Sequence, residues 1–290
     1  MSLSDRLETL SRSVRNFLRN PSESVRILAG PPPKFVLASD MARQWGTATN
    51  SQMHESGATV DQDVFPNPLQ AYFDGIKEGP GVWKWQHYFE LYHRHLHKFV
   101  GREVSVVEIG VYSGGSMPMW RHYFGDGCRV HGVDIQQACK AYEDSHTSIH
   151  IGDQADRGFW KRFRSAVPTV DVLIDDGGHH PEQQKVTLEE MLQHLRPGGV
   201  YICEDVHGIC HPFAAYVHAL ADELNAVVGW THQEQGLTST PTPFQAAIHS
   251  VHLYPFVVVI EKRDSILNGF SAPKHGTKWE PFGSAWQFDL

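Results

Sequence analysis

The sequence has no excess of positive charge, no long apolar run and few cysteines. Its 290 residues carry 25 Lys and Arg against 33 Asp and Glu, a formal net charge of -8, which argues against a general affinity for nucleic acid or anionic membrane. No apolar run approaches the roughly 18 residues needed to span a bilayer, and no signal-peptide pattern opens the chain. We therefore expect a cytoplasmic protein without nucleic-acid or membrane partners.

The cysteines show no metal-binding or redox spacing, because no CxxC pair occurs and Cys203 falls in a predicted buried strand. Reduced thiols are the simplest interpretation of all four. A chain of this length can form one large α/β domain with a sizeable core and an additional segment.

The first 80 residues are predicted to form an extension made of a helix and a loop. Residues 3–18 place apolar side chains at helical spacing, and packing on the chain's own domain is favoured over the alternative, an oligomer contact. Residues 38–67 show little periodicity, and a loop of that length is functional or disordered. We expect part of it to cover the active site as a substrate lid.

A helix with an aromatic stripe is predicted from Trp83 to Phe99. Its histidines are taken to flank a packed stripe rather than to bind metal. For the aromatic residues at its start, core positions are favoured over a cavity wall. The histidines are His87, His93, His95 and His97, and the aromatic residues are Trp83, Trp85 and Tyr88.

Two predicted strands end in acids. Residues 171–178 are a short apolar run that closes with two carboxylates and a glycine pair, followed by His179; residues 199–203 are followed by Glu204 and Asp205. Such strands can place several oxygen ligands around one hard divalent cation, with a titratable nitrogen beside it. We interpret this region as the reaction centre.

A glycine-rich turn follows the predicted strand 104–109. Gly110, Gly114 and Gly115 precede a predicted helix, and glycine allows close backbone approach and φ > 0. The order Glu-x-Gly-x-x-x-Gly-Gly differs from the dinucleotide pattern GxGxxG and fits a cofactor without a pyrophosphate better. A plain structural turn remains the alternative.

The next two strands also end in polar residues. Asp134 follows strand 129–133 and can accept hydrogen bonds from ribose hydroxyls, or can simply cap a helix. Asp153 and Gln154 follow strand 148–151 and are placed to contact an adenine edge. Helices are predicted at 159–163, 182–195 and 213–224, a turn at 196–199, and an antiparallel strand pair at 248–253 and 256–260. This alternation predicts a parallel α/β sheet with ligands at its carboxyl edge.

The segments VEIGVYSGGS (107–116), HGVD (131–134), GDQ (152–154), IDDGGH (174–179) and CED (203–205) resemble class I S-adenosylmethionine-dependent methyltransferases. More narrowly, they are similar to the metal-dependent sugar O-methyltransferases of macrolide biosynthesis and their cephalosporin-pathway relatives. The resemblance covers residues 83–262. It implies a Rossmann-like α/β fold with a mostly parallel seven-stranded sheet, helices on both faces and an N-terminal helical and loop extension. The expected divisions are 1–80, a methyltransferase domain at 81–265, and a C-terminal tail at 266–290.

The same resemblance implies roles for individual residues. His179 would be the general base, and Asp176 is preferred over Asp175 as a metal ligand because it alone gives the Asp-x-x-His spacing. The implied Mg²⁺ ligands are Asp176, Glu204 and Asp205. The implied S-adenosylmethionine contacts are Glu108, Gly110, Gly114, Gly115, Ser116, Asp134, Asp153, Gln154 and Asp175.

The function expected from these residues is transfer of a methyl group to a hydroxyl of a sugar or glycosylated natural product, as in antibiotic biosynthesis. A metal would act as a Lewis acid on the hydroxyl, and the histidine would take its proton. The alternatives are N-methylation, a cephalosporin-hydroxylase-like role and a non-catalytic assembly partner. Relatives form tetramers or larger assemblies, so a homo-oligomer, dimer or tetramer, is expected.

Overall fold

The computed structural model describes residues 38–44, 67–233 and 236–277, and the chain divides into two compact units, Met1–Val64 and Phe65–Leu290. In the first unit, residues 38–44 are helical, although we predicted a loop there. An ion pair between Asp40 and Arg43, one turn apart, supports this helix. The predicted helix at 3–18, its oligomer contact and most of the predicted lid lie outside the described residues.

The described part of the second unit contains ten strands, most of them in one sheet. They are β1 (Val104–Ile109), β2 (Cys128–Asp134), β3 (Thr147–Ile151), β4 (Val170–Asp175), β5 (Leu195–Cys203), β6 (Trp230–Gln233), β7 (Gly236–Ser239), β8 (Ile248–Tyr254), β9 (Val257–Lys262) and β10 (Phe270–Pro273). The main sheet has seven strands in the order β3-β2-β1-β4-β5-β9-β8. β9 pairs antiparallel with both neighbours, and the other pairs are parallel. The predicted mostly parallel sheet and the terminal antiparallel hairpin are confirmed.

Helices cover both faces of this sheet. Residues of β4 enter two apolar clusters: Val172 and Ile174 pack with the helices that precede β2, whereas Val170 and Leu173 pack with the helices that follow β3. β4 is therefore buried along its whole length, as a central parallel strand should be. The helices are α1 (Pro68–Gly75), α2 (Tyr88–Leu96), α3 (Ser116–Phe124), α4 (Arg157–Ala166), α5 (Pro181–Met191), α6 (Pro212–Glu223) and α7 (Pro243–Ala247), with 3₁₀ turns at His97–Phe99 and Gln137–Tyr142.

Two predicted helix boundaries were wrong. The helix predicted from Trp83 begins only at Tyr88, and residues 83–87 are not helical. The helix predicted to reach Leu195 ends at Met191, because Leu195 already pairs with Val170 in the sheet. The turn predicted at 196–199 is instead a bulge within β5, where the register against β4 shifts.

A second small sheet was not predicted. β6, β7 and β10 form a three-stranded antiparallel sheet in the order β10-β7-β6. Two of these strands lie between α6 and α7, and the third lies in the predicted tail after residue 265. Strands of only four residues carry too little periodicity to be predicted.

Among residues 38–44, 67–233 and 236–277, no helix is both long enough and apolar enough to cross a bilayer.

Candidate active site

A cavity of about 1390 Å³ opens at the carboxyl edge of the main sheet. Gly110 follows β1, Asp134 ends β2, Asp153 follows β3, Asp176 follows β4 and Glu204 follows β5, and all of them line this cavity. Ser116, Gln154, His179 and Asp205 line it too. Residues predicted from separate strands are therefore brought to one place. The predicted residues Glu108, Gly114, Gly115 and Asp175 lie behind the lining.

The backbone of the glycine-rich turn packs closely against other parts of the chain. Gly110 has φ +88°, and a Cβ there would lie 2.0 Å from the carbonyl oxygen of Asp176; at Gly115 it would lie 2.4 Å from that of Gly81. Gly114 has φ +74°, and a Cβ there would lie 2.5 Å from the ring of Tyr142. The positive φ angles that we predicted are present at two of the three glycines. Contact of these glycines with a cofactor stays a prediction.

Asp134 and Asp153 fix the backbone around the cavity. Asp134 Oδ2 accepts from the backbone N–H groups of Val111 (3.0 Å) and Tyr112 (3.2 Å), and Oδ1 accepts from Gln136 (2.8 Å). Asp153 is exposed and accepts from the backbone of Ala155 at 2.8 Å. Because a carboxylate has about four acceptor positions, both side chains keep capacity for a ligand hydroxyl or amine.

The side chain of Gln154 is buried and hydrogen-bonded to other protein groups. Its amide nitrogen donates to Asp175 Oδ1 (2.9 Å) and Thr187 Oγ1 (3.2 Å), and its oxygen accepts from the backbone N–H of Gly178 (2.8 Å). These bonds join the ends of β3 and β4. The predicted adenine contact of Gln154 is therefore the one least favoured by the structure, since the polar atoms of its side chain already have partners.

A buried lysine that the sequence reasoning missed lies at the centre of the site. The Lys84 ammonium is 2.7 Å from Asp176 Oδ2, 3.1 Å from both oxygens of Glu204 and 3.0 Å from Glu108 Oε1. Burial alone lowers the pKa of Lys84, but Asp176 and Glu204 raise it, and the pKa ends well above the usual value. The lysine is charged and joins the ends of β1, β4 and β5.

Two further donors hold these carboxylates in place. Trp120 Nε1 donates to Glu108 Oε2 at 2.9 Å, and the Tyr92 hydroxyl donates to Glu204 Oε1 at 2.5 Å. Both carboxylates are almost fully buried. Glu108, predicted to lie beneath the cofactor, is thus part of the support under the cavity.

The neighbouring group combines two acids with the predicted base. Asp176, His179 and Asp205 each offer one ligand atom, and these three atoms lie within 4.8 Å of one another. His179 Nε2 is 3.6 Å from Asp205 Oδ2. Oxygen donors of this kind suit a hard divalent cation, so Asp176 and Asp205 fit the predicted Mg²⁺ site. Glu204, the third predicted ligand, is not one of these three residues, and its carboxylate accepts from Lys84 and Tyr92. Its role as a metal ligand stays a prediction.

The segment before α2 forms one wall of the site. The Tyr88 hydroxyl and Trp85 Nε1 both donate to Asp205 Oδ1, at 2.7 and 3.1 Å. Trp83 is 86% exposed and Trp85 50% exposed, and both line the cavity. Our preference for core positions over a cavity wall was wrong for the two tryptophans; Tyr88 is buried as predicted and also lines the cavity.

Sequence comparisons agree with this geometry. Residues 107–206 match the protein family described as "Methyltransferase domain".

These residues form a methyltransferase domain.

The predicted resemblance to methyltransferases is confirmed by this match, and the predicted Rossmann-like fold is confirmed by the strand order of the main sheet.

The chain is also similar to proteins named as O-methyltransferases. The chain is 32% identical to demethylmacrocin O-methyltransferase of Streptomyces fradiae, over 62% of this chain and 50% of that protein. It is 30% identical to 8-demethyl-8-alpha-L-rhamnosyl tetracenomycin-C 2'-O-methyltransferase of Streptomyces olivaceus, over 65% and 53%. The chain thus spans about half the length of the curated relatives it matches.

The fold is shared with a solved methyltransferase. The structure of MycE from the mycinamycin biosynthetic pathway, in complex with Mg, SAH and mycinamycin VI, superposes with a TM-score of 0.53 at 26% identity, covering 68% of this chain and 54% of MycE.

Removing the buried ammonium should destabilise the methyltransferase domain. Lys84→Met leaves Glu108, Asp176 and Glu204 close together without a cation, so we expect a loss of about 3–5 kcal/mol in the free energy of unfolding. Mg²⁺ should raise the melting temperature of the variant more than that of the wild type, because the freed oxygens can bind it. Lys140→Met, which breaks an exposed pair with Glu143, is the control and should change little. A small loss in Lys84→Met would contradict the central role of this lysine.

The stability of the domain should depend on pH through Asp175. Burial raises the pKa of this carboxyl to about 6, although the hydrogen bond from Gln154 opposes the rise. The folded-state pKa therefore lies above the unfolded value of 3.8, and the stabilisation carried by the protonated form is complete below that value and lost as pH rises through 6. Asp175→Asn cannot ionise. Between pH 4 and pH 7 its unfolding free energy should gain up to about 3 kcal/mol relative to the wild type. Urea denaturation at both pH values measures this gain, and a constant difference would contradict it.

Proposed function

We propose that the chain is an S-adenosylmethionine- and Mg²⁺-dependent O-methyltransferase that acts on a hydroxyl of a sugar or glycosylated natural product. The observation that carries this proposal is the single cavity that contains both Asp134 and Asp153 on one side and the group of Asp176, His179 and Asp205 on the other. A nucleoside at the first pair would place its sulfonium methyl toward the second group. The relatives named above support the acceptor class.

The residues of the chain supply positioning and proton transfer. A divalent cation held by Asp176 and Asp205 would act as a Lewis acid on the acceptor hydroxyl. His179 Nε2, next to Asp205, would receive the hydroxyl proton. S-adenosylmethionine would supply the methyl group, whose bond to sulfur would break as the bond to the acceptor oxygen forms, and would leave as S-adenosylhomocysteine. Tyr88 and Trp85 hold Asp205 in place by donating to its Oδ1.

The acceptor side of the cavity has aromatic walls. Tyr112 is 74% exposed and lines the same cavity as Trp83 and Trp85. Aromatic faces next to a few polar groups are typical of pockets for small organic molecules. This supports a glycosylated acceptor over a macromolecular one, and it agrees with the chain's net negative charge.

The reaction and its metal are tested together. Hydroxylated glycosides are incubated with labelled S-adenosylmethionine, first with EDTA and then with excess Mg²⁺, and the products are identified by mass and NMR. We expect methylation at oxygen that EDTA abolishes and Mg²⁺ restores. Methylation at nitrogen, or activity unaffected by EDTA, would contradict the proposal. Absence of cofactor binding in calorimetry would favour a non-catalytic role.

The base is tested by His179→Ala. Loss of general-base catalysis should lower kcat by about 10²–10⁴-fold, whereas the Kd for S-adenosylhomocysteine should change little. His180→Ala removes the adjacent exposed histidine, which does not line the cavity, and should retain activity. Equal losses of turnover and of cofactor affinity in His179→Ala would exclude the role assigned to it.

A further inference from the structure

A second group of metal-ligating side chains lies where α2 packs against the hairpin of β8 and β9. His95, His252 and Glu261 each offer one ligand atom, and the three atoms lie within 4.8 Å of one another. None of the three lines the active-site cavity. The group is therefore separate from the site described above.

The strand register explains why these side chains meet. Glu261 of β9 is opposite Ser250 of β8, and His252 lies two residues further along the same face of β8. His95 descends onto this face from α2 and is only 4% exposed. Its Nδ1 is 2.5 Å from Glu261 Oε1, and its ring centroid is 4.6 Å from that of His252.

We propose that His95, His252 and Glu261 form a Zn²⁺ site that fastens α2 to the edge of the sheet. Two imidazoles and one carboxylate are a ligand set that Zn²⁺ accepts in proteins, with a further position left for water or for the nearby Tyr254 hydroxyl. Ligand atoms around tetrahedral Zn²⁺ lie about 3.3 Å apart. The half-buried His252 therefore needs to move toward the other two ligands by up to about 1.5 Å. Glu261 Oε1, which is 2.5 Å from His95 Nδ1, needs to move slightly away from it.

The charges around the group are compatible with a cation. Burial lowers the pKa of His252, and the neighbouring His95 lowers it further; a neutral imidazole is the form that binds metal. Lys98 Nζ is 3.7 Å from Glu261 Oε2 and competes for that carboxylate. Its side chain is one-third exposed and can turn toward solvent when the metal binds.

The site would act on the same helix that supports the active site. α2 carries Tyr88 and Tyr92, whose hydroxyls donate to Asp205 and Glu204. A metal that joins His95 to the β8–β9 hairpin fixes α2 from its other end. We predicted from the sequence that the histidines of this segment flank a packed stripe. The proposal assigns His95 to the new site and leaves that prediction unchanged for the others.

Co²⁺ is the probe for the site, because tetrahedral Co²⁺ gives visible absorption bands and Zn²⁺ displaces it. The full chain is stripped with chelator and titrated with Co²⁺, alongside three variants. His252→Ala removes one proposed ligand. His249→Ala removes an exposed histidine of the same strand and is the matched control. Asp176→Asn removes a member of the active-site group.

We expect about one tetrahedral Co²⁺ per chain in the wild type, in His249→Ala and in Asp176→Asn, displaced by Zn²⁺. In His252→Ala the bands should disappear, or the Co²⁺ affinity should fall at least about tenfold. Absence of the bands from the wild type, their persistence in His252→Ala, or their loss in either His249→Ala or Asp176→Asn would overturn the proposal.

A second variant guards against misfolding. Glu261→Gln keeps a hydrogen-bonding oxygen for His95 and removes the charge, so the fold should persist while the Co²⁺ affinity falls. Circular dichroism and binding of S-adenosylhomocysteine confirm that each variant is folded. Zn²⁺ should raise the melting temperature of the wild type and of His249→Ala by several degrees, and should leave His252→Ala and Glu261→Gln unchanged. Equal Zn²⁺ stabilisation of all four proteins would count against a site at these residues. These measurements do not depend on methyl transfer.

Discussion

The position of one ammonium group among three carboxylates governs the structure of this site. Glu108, Asp176 and Glu204 come from the ends of three different strands, and Lys84 lies within 3.1 Å of each of them. Carboxylates crowded in a buried space repel one another and are costly to desolvate. The lysine offsets both effects. The carboxyl ends of β1, β4 and β5 can therefore converge, and the cavity is shaped by that convergence.

The backbone at the cavity is held in conformations that side chains rarely adopt. Tyr112, His179 and Asp205 have φ angles of +48°, +54° and +55°. Each such residue costs about 1–3 kcal/mol and persists only where the surroundings determine it. The surroundings here include the bonds from Asp134 to the backbone of Tyr112 and those from Tyr88 and Trp85 to Asp205. The polar groups of the cavity are thus arranged before any ligand arrives.

The sequence predicted the sheet well, because buried strands with acids at their ends carry a strong local signal. Acids following β2, β3, β4 and β5 had to meet at one edge once the strands were parallel, and they do. Lys84 was not predicted as a site residue. It lies between two tryptophans, and the apolar spacing there predicts a helix from Trp83 onward. Gln154 donates to Asp175, and Glu204 accepts from Lys84 although the adjacent Asp205 does not. Both contacts are effects of tertiary structure. They depend on which groups lie within hydrogen-bonding distance of a polar atom in the folded chain, and the periodicity of the sequence contains no information about that.

The cooperatively folded unit also has to include Lys84, Tyr88 and Tyr92, because they contact its buried acids. The stretch that matches the methyltransferase family starts at residue 107, but the groups that neutralise and orient its buried acids come from upstream of it. On the far side, β9 covers the edge of β5 from beyond residue 206. A fragment trimmed to 107–206 would expose a strand edge and leave Glu108, Asp176 and Glu204 without their counter-charge. Recombinant truncations of such proteins should therefore follow the ionic contacts rather than the limits of recognisable homology.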